Sequence, residues 1–348
     1  MSSLLRSPEN WSVLHASHEL DLAFVVDCTM SMSRYIAVAK RKIQDIVEKI
    51  SRNAYSVRFA LIKYRDHPPQ DESFVVRCEP FTDSSDTIEG CVGEMEAAGG
   101  GDPPDAVADG LYKALNLDYR QRATKICIWI GDARPHGLHE ADDQIPEGCP
   151  NNHDPVAICH EMTRKGIILY CVGCEPSLRI YRDFFMGLSL ITGGQYIRLA
   201  RARILPQVIV RLTCEEVENE NLMGLVEDHI NLRYIPGARV PLEAVDRLVN
   251  SLHEELRLNN NRTRRIRFNA REIEPFTDLA KRISFMHTLA DVAVAFQAEV
   301  VIEQPVQNER ENVEITDLDE VSPQQCVRLV RRAFARNPHR QIVVIDML

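Results

Sequence analysis

Asp27-Cys28-Thr29-Met30-Ser31 places a carboxylate and then, at alternate positions, two hydroxyls on one short stretch of chain. These are hard oxygen donors, the set preferred by Mg2+, and by Mn2+ where it is available. Two further oxygen-rich turns accompany it, GGGDPPD (99–105) and the Gly131-Asp132 pair. Taken alone, one such segment is explained by helix capping, with Ser31 or Ser33 as the cap. Three such loops in order and spacing make an octahedral cation site the better account.

The elements that must position these residues are legible as an alternation. LDLAFVVD (20–27) is nearly continuous in apolar residues, as a strand buried on both faces should be. In the stretch after it, Ile36, Ala39, Ile43, Ile46, Val47 and Ile50 recur at helical spacing. VRFALIKY (57–64), SFVVRCEPF (73–81) as an edge partner, TKICIWIGD (124–132), GIILYCVG (166–173) and GGQYIRLA (193–200) read as further strands. Helices are predicted near 84–97, over DAVADGLYKALN with Pro104 near its first turn, at 155–165 and near 178–191. The alternation predicts an α/β fold with a doubly wound, mostly parallel sheet. Ligands of such sheets bind beyond the carboxyl ends of the strands, where Asp27 and Asp132 fall.

Past residue 203 the pattern becomes helical: one or two helices over 204–230, a clean amphipathic one at 240–258, another around 279–298 and one around 323–336. An acidic linker (309–320) and a terminal strand-like run, RQIVVIDML, complete it. The expected division is a domain at 18–215 and a mainly helical C-terminal region at 220–348.

Across 348 residues, 41 Lys+Arg against 51 Asp+Glu leave a net charge of −10, which argues against nonspecific attraction to nucleic acid. The first residues lack the pattern of a secretory signal, and no stretch has the length of apolar residues a membrane span requires. Of the 10 Cys, several sit inside apolar strand runs, where buried thiols are common. The reading is a cytoplasmic protein with reduced thiols.

DCTMS, GGGDPPDA and GDARPHG, taken in order, resemble the von Willebrand factor A family. DCTMS looks like the DxSxS motif of its metal-ion-dependent adhesion site, and the other two like its second and third loops. The runs YRDHPP and GCEPSL bring the chain closest to the intracellular branch associated with alpha-kinases, although no room remains for a kinase domain after residue 220. The resemblance covers roughly 18–215. It implies that Thr29 and Ser31 bind one divalent cation (Mg2+, or Mn2+ or Ca2+) through their hydroxyls, with Asp27 and Asp132 holding coordinated waters. Where the family usually has a Thr in the second loop, this chain offers Asp102, which either acts from outside the direct coordination or, bound directly, neutralises the ion and weakens its hold on an external acid. Met30, where a small residue is common, would narrow the approach. The implied function is non-enzymatic capture of a partner protein's Asp or Glu through the cation.

Competing readings come from other residues. A metal-dependent hydrolase or phosphoryl-transfer enzyme would need a general base, for which His136 is the candidate. A scaffold subunit with a decayed site is the third. His136, His139, Cys149 and His153 lie in one long loop and could bind zinc, though their spacing matches no strong pattern. Cys171 and Cys174 form a CxxC that reads as packing. The Arg257–Arg271 stretch reads as a solvated connection paired with acidic neighbours. No phosphate loop and no nucleophile elbow occur.

Overall fold

The run LDLAFVVD becomes the central strand, β1 (Glu19–Asp27), buried from Leu20 to Asp27. It pairs in parallel with β2 (Ser56–Tyr64) on one side and β4 (Thr124–Gly131) on the other. β5 (Ile167–Cys174) and β6 (Tyr196–Leu199) extend the sheet in parallel, and β3 (Val76–Thr82) closes the far edge antiparallel to β2. The order β3-β2-β1-β4-β5-β6 is the doubly wound, mostly parallel sheet that the alternation predicts. The structure is a computed structural model. It describes residues 19–51, 56–199 apart from 122 and 141, 219–234 apart from 220, 239–298 apart from 264, 265, 269, 270 and 273–275, and 313–343 apart from 316–318 and 338–340.

Because successive strand residues face opposite sides, the sheet feeds two cores. Leu22, Phe24 and Val26 meet Ile43 and Val47 of α1 (Ser33–Ser51) and Ile88 of α2 (Ser85–Gly93). On the other face Val25 and Trp129 meet Leu111 of α3 (Val107–Leu115), Cys159 of α4 (Pro155–Arg164) and Phe185 of α5 (Arg182–Thr192). Trp129 stacks on Phe185 with ring centroids 4.2 Å apart. Full burial of such a side chain contributes roughly 1.5–3 kcal/mol, so both cores are strongly stabilising. α4 starts as its sequence dictates: Pro155 stands in the first turn and the Asp154 carboxylate accepts from the Val156 and Ala157 amides.

The C-terminal region combines helices with short strand pairs. The helical run 221–231, here α6, packs Val226 and Ile230 against Leu248 and Leu252 of α7 (Leu242–Leu258) and Leu329 of α10 (Pro323–Arg336). The terminal run supplies β13 (Gln341–Val343), parallel to β7 (Arg239–Pro241). The Arg-rich stretch carries β8 (Arg262–Thr263), β9 (Ile266–Phe268) and β10 (Arg271–Glu272). β8 pairs with β12 (Asp319–Glu320), and β9 with β11 (Val313–Ile315), both from the acidic segment. The helix expected from residue 204 falls outside the described residues up to 218.

α8 (Asp278–Ile283) and α9 (Leu289–Ala298) join the packing of the central sheet instead, on the face covered by α4 and α5. Leu279, Ile283, Val292 and Phe296 are buried with Phe185 and Tyr181. Asp154, the α4 cap, also accepts from the Leu289 amide at 2.7 Å, tying the start of α9 to the start of α4. Among the described residues, no helix is long and apolar enough to cross a membrane.

Candidate metal centre

β1 and β4 are neighbours, and the chain leaves them toward opposite faces of the sheet, which opens a crevice at their carboxyl ends. Asp27 ends β1 and Asp132 follows β4, so both enter that crevice. The Asp27 Oδ1 accepts from the Thr29 amide at 2.8 Å and from Thr29 Oγ1 at 2.7 Å. Ser31 Oγ donates to Asp132 Oδ1 at 2.6 Å and lies 3.0 Å from Thr29 Oγ1. Thr29 makes no side-chain capping bond to the 3-10 turn that follows it, and Ser31 is turned to Asp132, so neither hydroxyl is explained as a helix cap.

The second loop contributes Asp105. One oxygen each from Asp27, Asp105 and Asp132 lies within 4.8 Å of the others, and Asp105 Oδ2 is 3.4 Å from Thr29 Oγ1. Asp102, the residue expected here from the sequence, is not part of this group. Its Oδ2 accepts from the Gln144 amide at 2.9 Å, and it sits with Asp66 and His136 instead. The reason lies in the backbone. Gly99 and Gly100 take left-handed φ values of +73° and +80°, folding the loop onto Thr29, where a Cβ at Gly100 would stand 3.2 Å from the Thr29 Cβ. Pro103-Pro104 then carry the chain forward to a bridge in which the Asp105 amide donates to the Arg134 carbonyl at 3.0 Å. The helix begins only at Val107, which leaves Asp105 outside it. Further backbone bonds, Ala98 to Cys28 at 3.0 Å and Met30 to Gly99 at 3.1 Å, stitch the first two loops together. Asp71 holds the second loop from outside, accepting from the Gly100 amide at 3.3 Å. The second acid of GGGDPPD and the DES of Asp71–Ser73 were the available signals for these two residues.

The electrostatics favour a cation. At 4.8 Å or less, each pair of ionised carboxylates repels by about 3 kcal/mol or more at an effective dielectric of 20. Burial first, and then the Asp132 charge, pushes Asp27 up to about 7. Burial and the neighbouring carboxylates push Asp105 well above its usual range, and burial raises Asp132 despite the bond from Ser31. Asp27 Oδ2 is buried with no donor against it, an arrangement relieved either by a proton shared with Asp105 or by a cation. Three carboxylates and two hydroxyls are a hard-oxygen donor set that fits Mg2+ or Mn2+.

The other candidate residues are dispersed. Of the proposed zinc set, His136 is clamped between Asp66 (2.7 Å) and Asp143 (2.8 Å), and His139 reaches Tyr181. Only Cys149 and His153 converge, on Asp109. Burial would lower the His136 pKa, but the bonds to Asp143 and Asp66 outweigh it and raise it to about 9. With both ring nitrogens engaged and a proton held at neutral pH, His136 is unsuited to act as a general base. Cys171 and Cys174 are buried within β5, with Cys171 pushed up to about 12 by burial, as packing thiols. Arg257 pairs with Glu254 at 2.6 Å.

The doubly wound sheet with an oxygen-donor cluster at its switch point is the arrangement expected of a metal-binding α/β domain. Residues 21–143 match the von Willebrand factor A domain model of protein families. The chain is 34% identical over 147 residues to the alpha-protein kinase vwkA of Dictyostelium discoideum, across 40% of this chain and 23% of that protein. It is 26% identical over 248 residues to the ariadne-like RING finger protein R811 of Acanthamoeba polyphaga mimivirus, across 63% of this chain and 24% of that protein. The chain thus spans about a quarter of the length of these relatives. Among solved structures, it is similar to a von Willebrand factor type A protein from Catenulispora acidiphila, at 15% identity and a TM-score of 0.42, covering 58% of this chain and 43% of that one. It is also similar to proximal thread matrix protein 1 from the mussel byssus with a zinc-occupied MIDAS motif, at 16% identity and a TM-score of 0.40, covering 56% and 46%.

Proposed function

We propose that this chain is a non-enzymatic protein-interaction module in which Asp27, Thr29, Ser31, Asp105 and Asp132 hold one divalent cation, and an Asp or Glu side chain of a partner protein completes its coordination. The buried Asp27 Oδ2, with no donor against it among three carboxylates at the mouth of the sheet, carries this reading. Bound there, Mg2+ or Mn2+ would supply a positive centre that attracts a carboxylate. The chain's own part is orientation: Thr29 fixes Asp27, Ser31 fixes Asp132, and Met30, 58% exposed, forms an apolar lip for a partner to cover.

The number of anionic donors sets the strength of capture. Three carboxylates outweigh the charge of a divalent ion, so Asp105 acts as the brake that the sequence assigns to Asp102. The hydrolase reading needs a base, and the engaged, protonated His136 does not supply one. The division at 18–215 and 220–348 is part of the proposal, with α8 and α9 as a buttress on the sheet face covered by α4 and α5. A cytoplasmic location is supported by the free thiols of all described cysteines.

The test is an array of peptides each bearing a single Asp or Glu, probed with the full chain in Mn2+ and in EDTA. Retention should require the cation, disappear when the peptide acid becomes Asn or Gln, and disappear in Asp27→Ala and Ser31→Ala variants that remain folded. Binding that ignores EDTA and both substitutions sinks the mechanism and favours the scaffold reading.

A further inference from the structure

A second constellation lies apart from the oxygen cluster. His67 follows β2 in the YRDHPP turn, Asp109 stands in the first turn of α3, and Cys149 lies in the long loop between β4 and α4. One donor atom from each lies within 4.8 Å of the others, and His67 and Asp109 are only 2% and 4% exposed. His67 Nε2 approaches Asp109 Oδ2 to 2.9 Å, and Cys149 Sγ approaches the same oxygen to 3.0 Å. We propose that His67, Asp109 and Cys149 form a second metal site, for zinc or a similar borderline divalent cation, which staples the 132–154 loop to the sheet.

The donor chemistry separates this site from the first. Imidazole nitrogen, thiolate sulfur and one carboxylate oxygen are the ligands of tetrahedral zinc, whereas the first centre offers oxygen alone. Zinc–ligand bonds of about 2.0–2.3 Å at tetrahedral angles separate the donors by roughly 3.3–3.8 Å, so the observed cluster needs only small movements to close on an ion.

A competing account makes Asp109 a simple hydrogen-bond hub. Its Oδ1 accepts from Asn151 at 2.7 Å and lies 3.0 Å from His153 Nδ1, and burial is outweighed by bonds from His67, Asn151 and Cys149 that lower its pKa to about 2. That account takes His67 only as an ion-pair neighbour of Asp109 at 2.9 Å. Its Nε2 is buried and, although close to Asp109, is not aligned for a hydrogen bond. A ring nitrogen beside an ionised oxygen yet off its bonding direction suits two ligands that share an ion.

Burial and then Asp109 raise the Cys149 thiol to about 12, so the metal-free residue is protonated and binding would release one proton to solvent. The fourth position is left to water or to His153, whose ring is stacked 3.8 Å from that of Tyr112. Occupancy would have a structural consequence. The same loop begins at Asp132 and carries Arg134, whose carbonyl holds Asp105, so a staple at Cys149 would stiffen one wall of the first centre.

Titration of the full chain with Co2+, followed by absorbance, tests the site, because a thiolate ligand adds a charge-transfer band in the near ultraviolet that an all-oxygen site lacks. The expected result is such a band, saturating by two equivalents in the wild type, bleached by Zn2+, absent from Cys149→Ser, strongly reduced in His67→Gln and intact in Asp27→Ala. Unfolding curves and circular dichroism of the two site variants check their folding. If Cys149→Ser does not fold, His67→Gln decides. No band in the wild-type chain, or a band undiminished in His67→Gln or Cys149→Ser, overturns the proposal and leaves Asp109 as a hydrogen-bond hub.

Discussion

Asp105→Asn replaces one of three clustered carboxylates by a neutral group of the same shape, and its effects on the metal-free and metal-bound states should have opposite signs. In EDTA the substitution removes two of three like-charge pairs, each repelling by about 3 kcal/mol when ionised at the 4.8 Å limit of the cluster. Protonation relieves part of that repulsion in the wild type, so the expected result is a modest rise in the melting temperature. With a cation at about a hundred times its dissociation constant, the wild type gains about 2.7 kcal/mol. In a domain of about 200 residues each kcal/mol is worth roughly 2–4 °C, which makes a shift of about 5–11 °C. Asp105→Asn should lose most of it. Thermal unfolding followed by intrinsic fluorescence in EDTA, Mg2+, Mn2+ and Ca2+ reads both numbers, with Asp102→Asn in parallel. An ordinary destabilising lesion would lower the EDTA value, so the combination of a raised baseline and a lost shift is specific. A full shift in Asp105→Asn together with its loss in Asp102→Asn would refute the geometry and return the second-loop ligand to Asp102.

Three further outcomes are expected. At Mn2+ concentrations raised until the variant is saturated, Asp105→Thr should strengthen capture of an acid-bearing peptide, because a neutral hydroxyl leaves the ion more positive; weaker capture under that saturation, measured by peptide-array signal, would contradict the brake. His136 faces Asp66, Asp143, Asp102 and the His67 ring, and its pKa is raised from 6.5 to about 9 on folding. Its contribution is therefore fully present below about pH 6.5 and is lost as pH rises through 9, so urea midpoints should fall across that window and the fall should be shallower in His136→Gln. A Cβ at Gly187 would stand 2.5 Å from Ile283 Cγ2 and 3.2 Å from the Ala280 carbonyl, so Gly187→Ala should destabilise by about 1–3 kcal/mol through overpacking where α8 docks. An unchanged denaturation midpoint there would mean that α8 is not held against α5.

The central sheet and four of the five residues of the proposed first centre were legible in the chain itself. β1 reads as buried because a central parallel strand has no solvent face to mark with polar residues, and LDLAFVVD has almost none. Asp27, Thr29 and Ser31 are close in space because they are close in sequence, and Asp132 is placed by the end of a strand whose apolar run is unmistakable. The rest depended on contacts that carry no period. Asp105 rather than Asp102 enters the crevice because two left-handed glycines and a backbone bond from Asp105 to Arg134 set the path of the second loop. His67, Asp109 and Cys149 are separated by long stretches of chain, and only the packing of α3 and of the long loop beside β2 brings them together. The same holds for α8 and α9. Their apolar faces announce that something must cover them, but only the tertiary structure decides that the covering surface is α4 and α5 on one face of the central sheet.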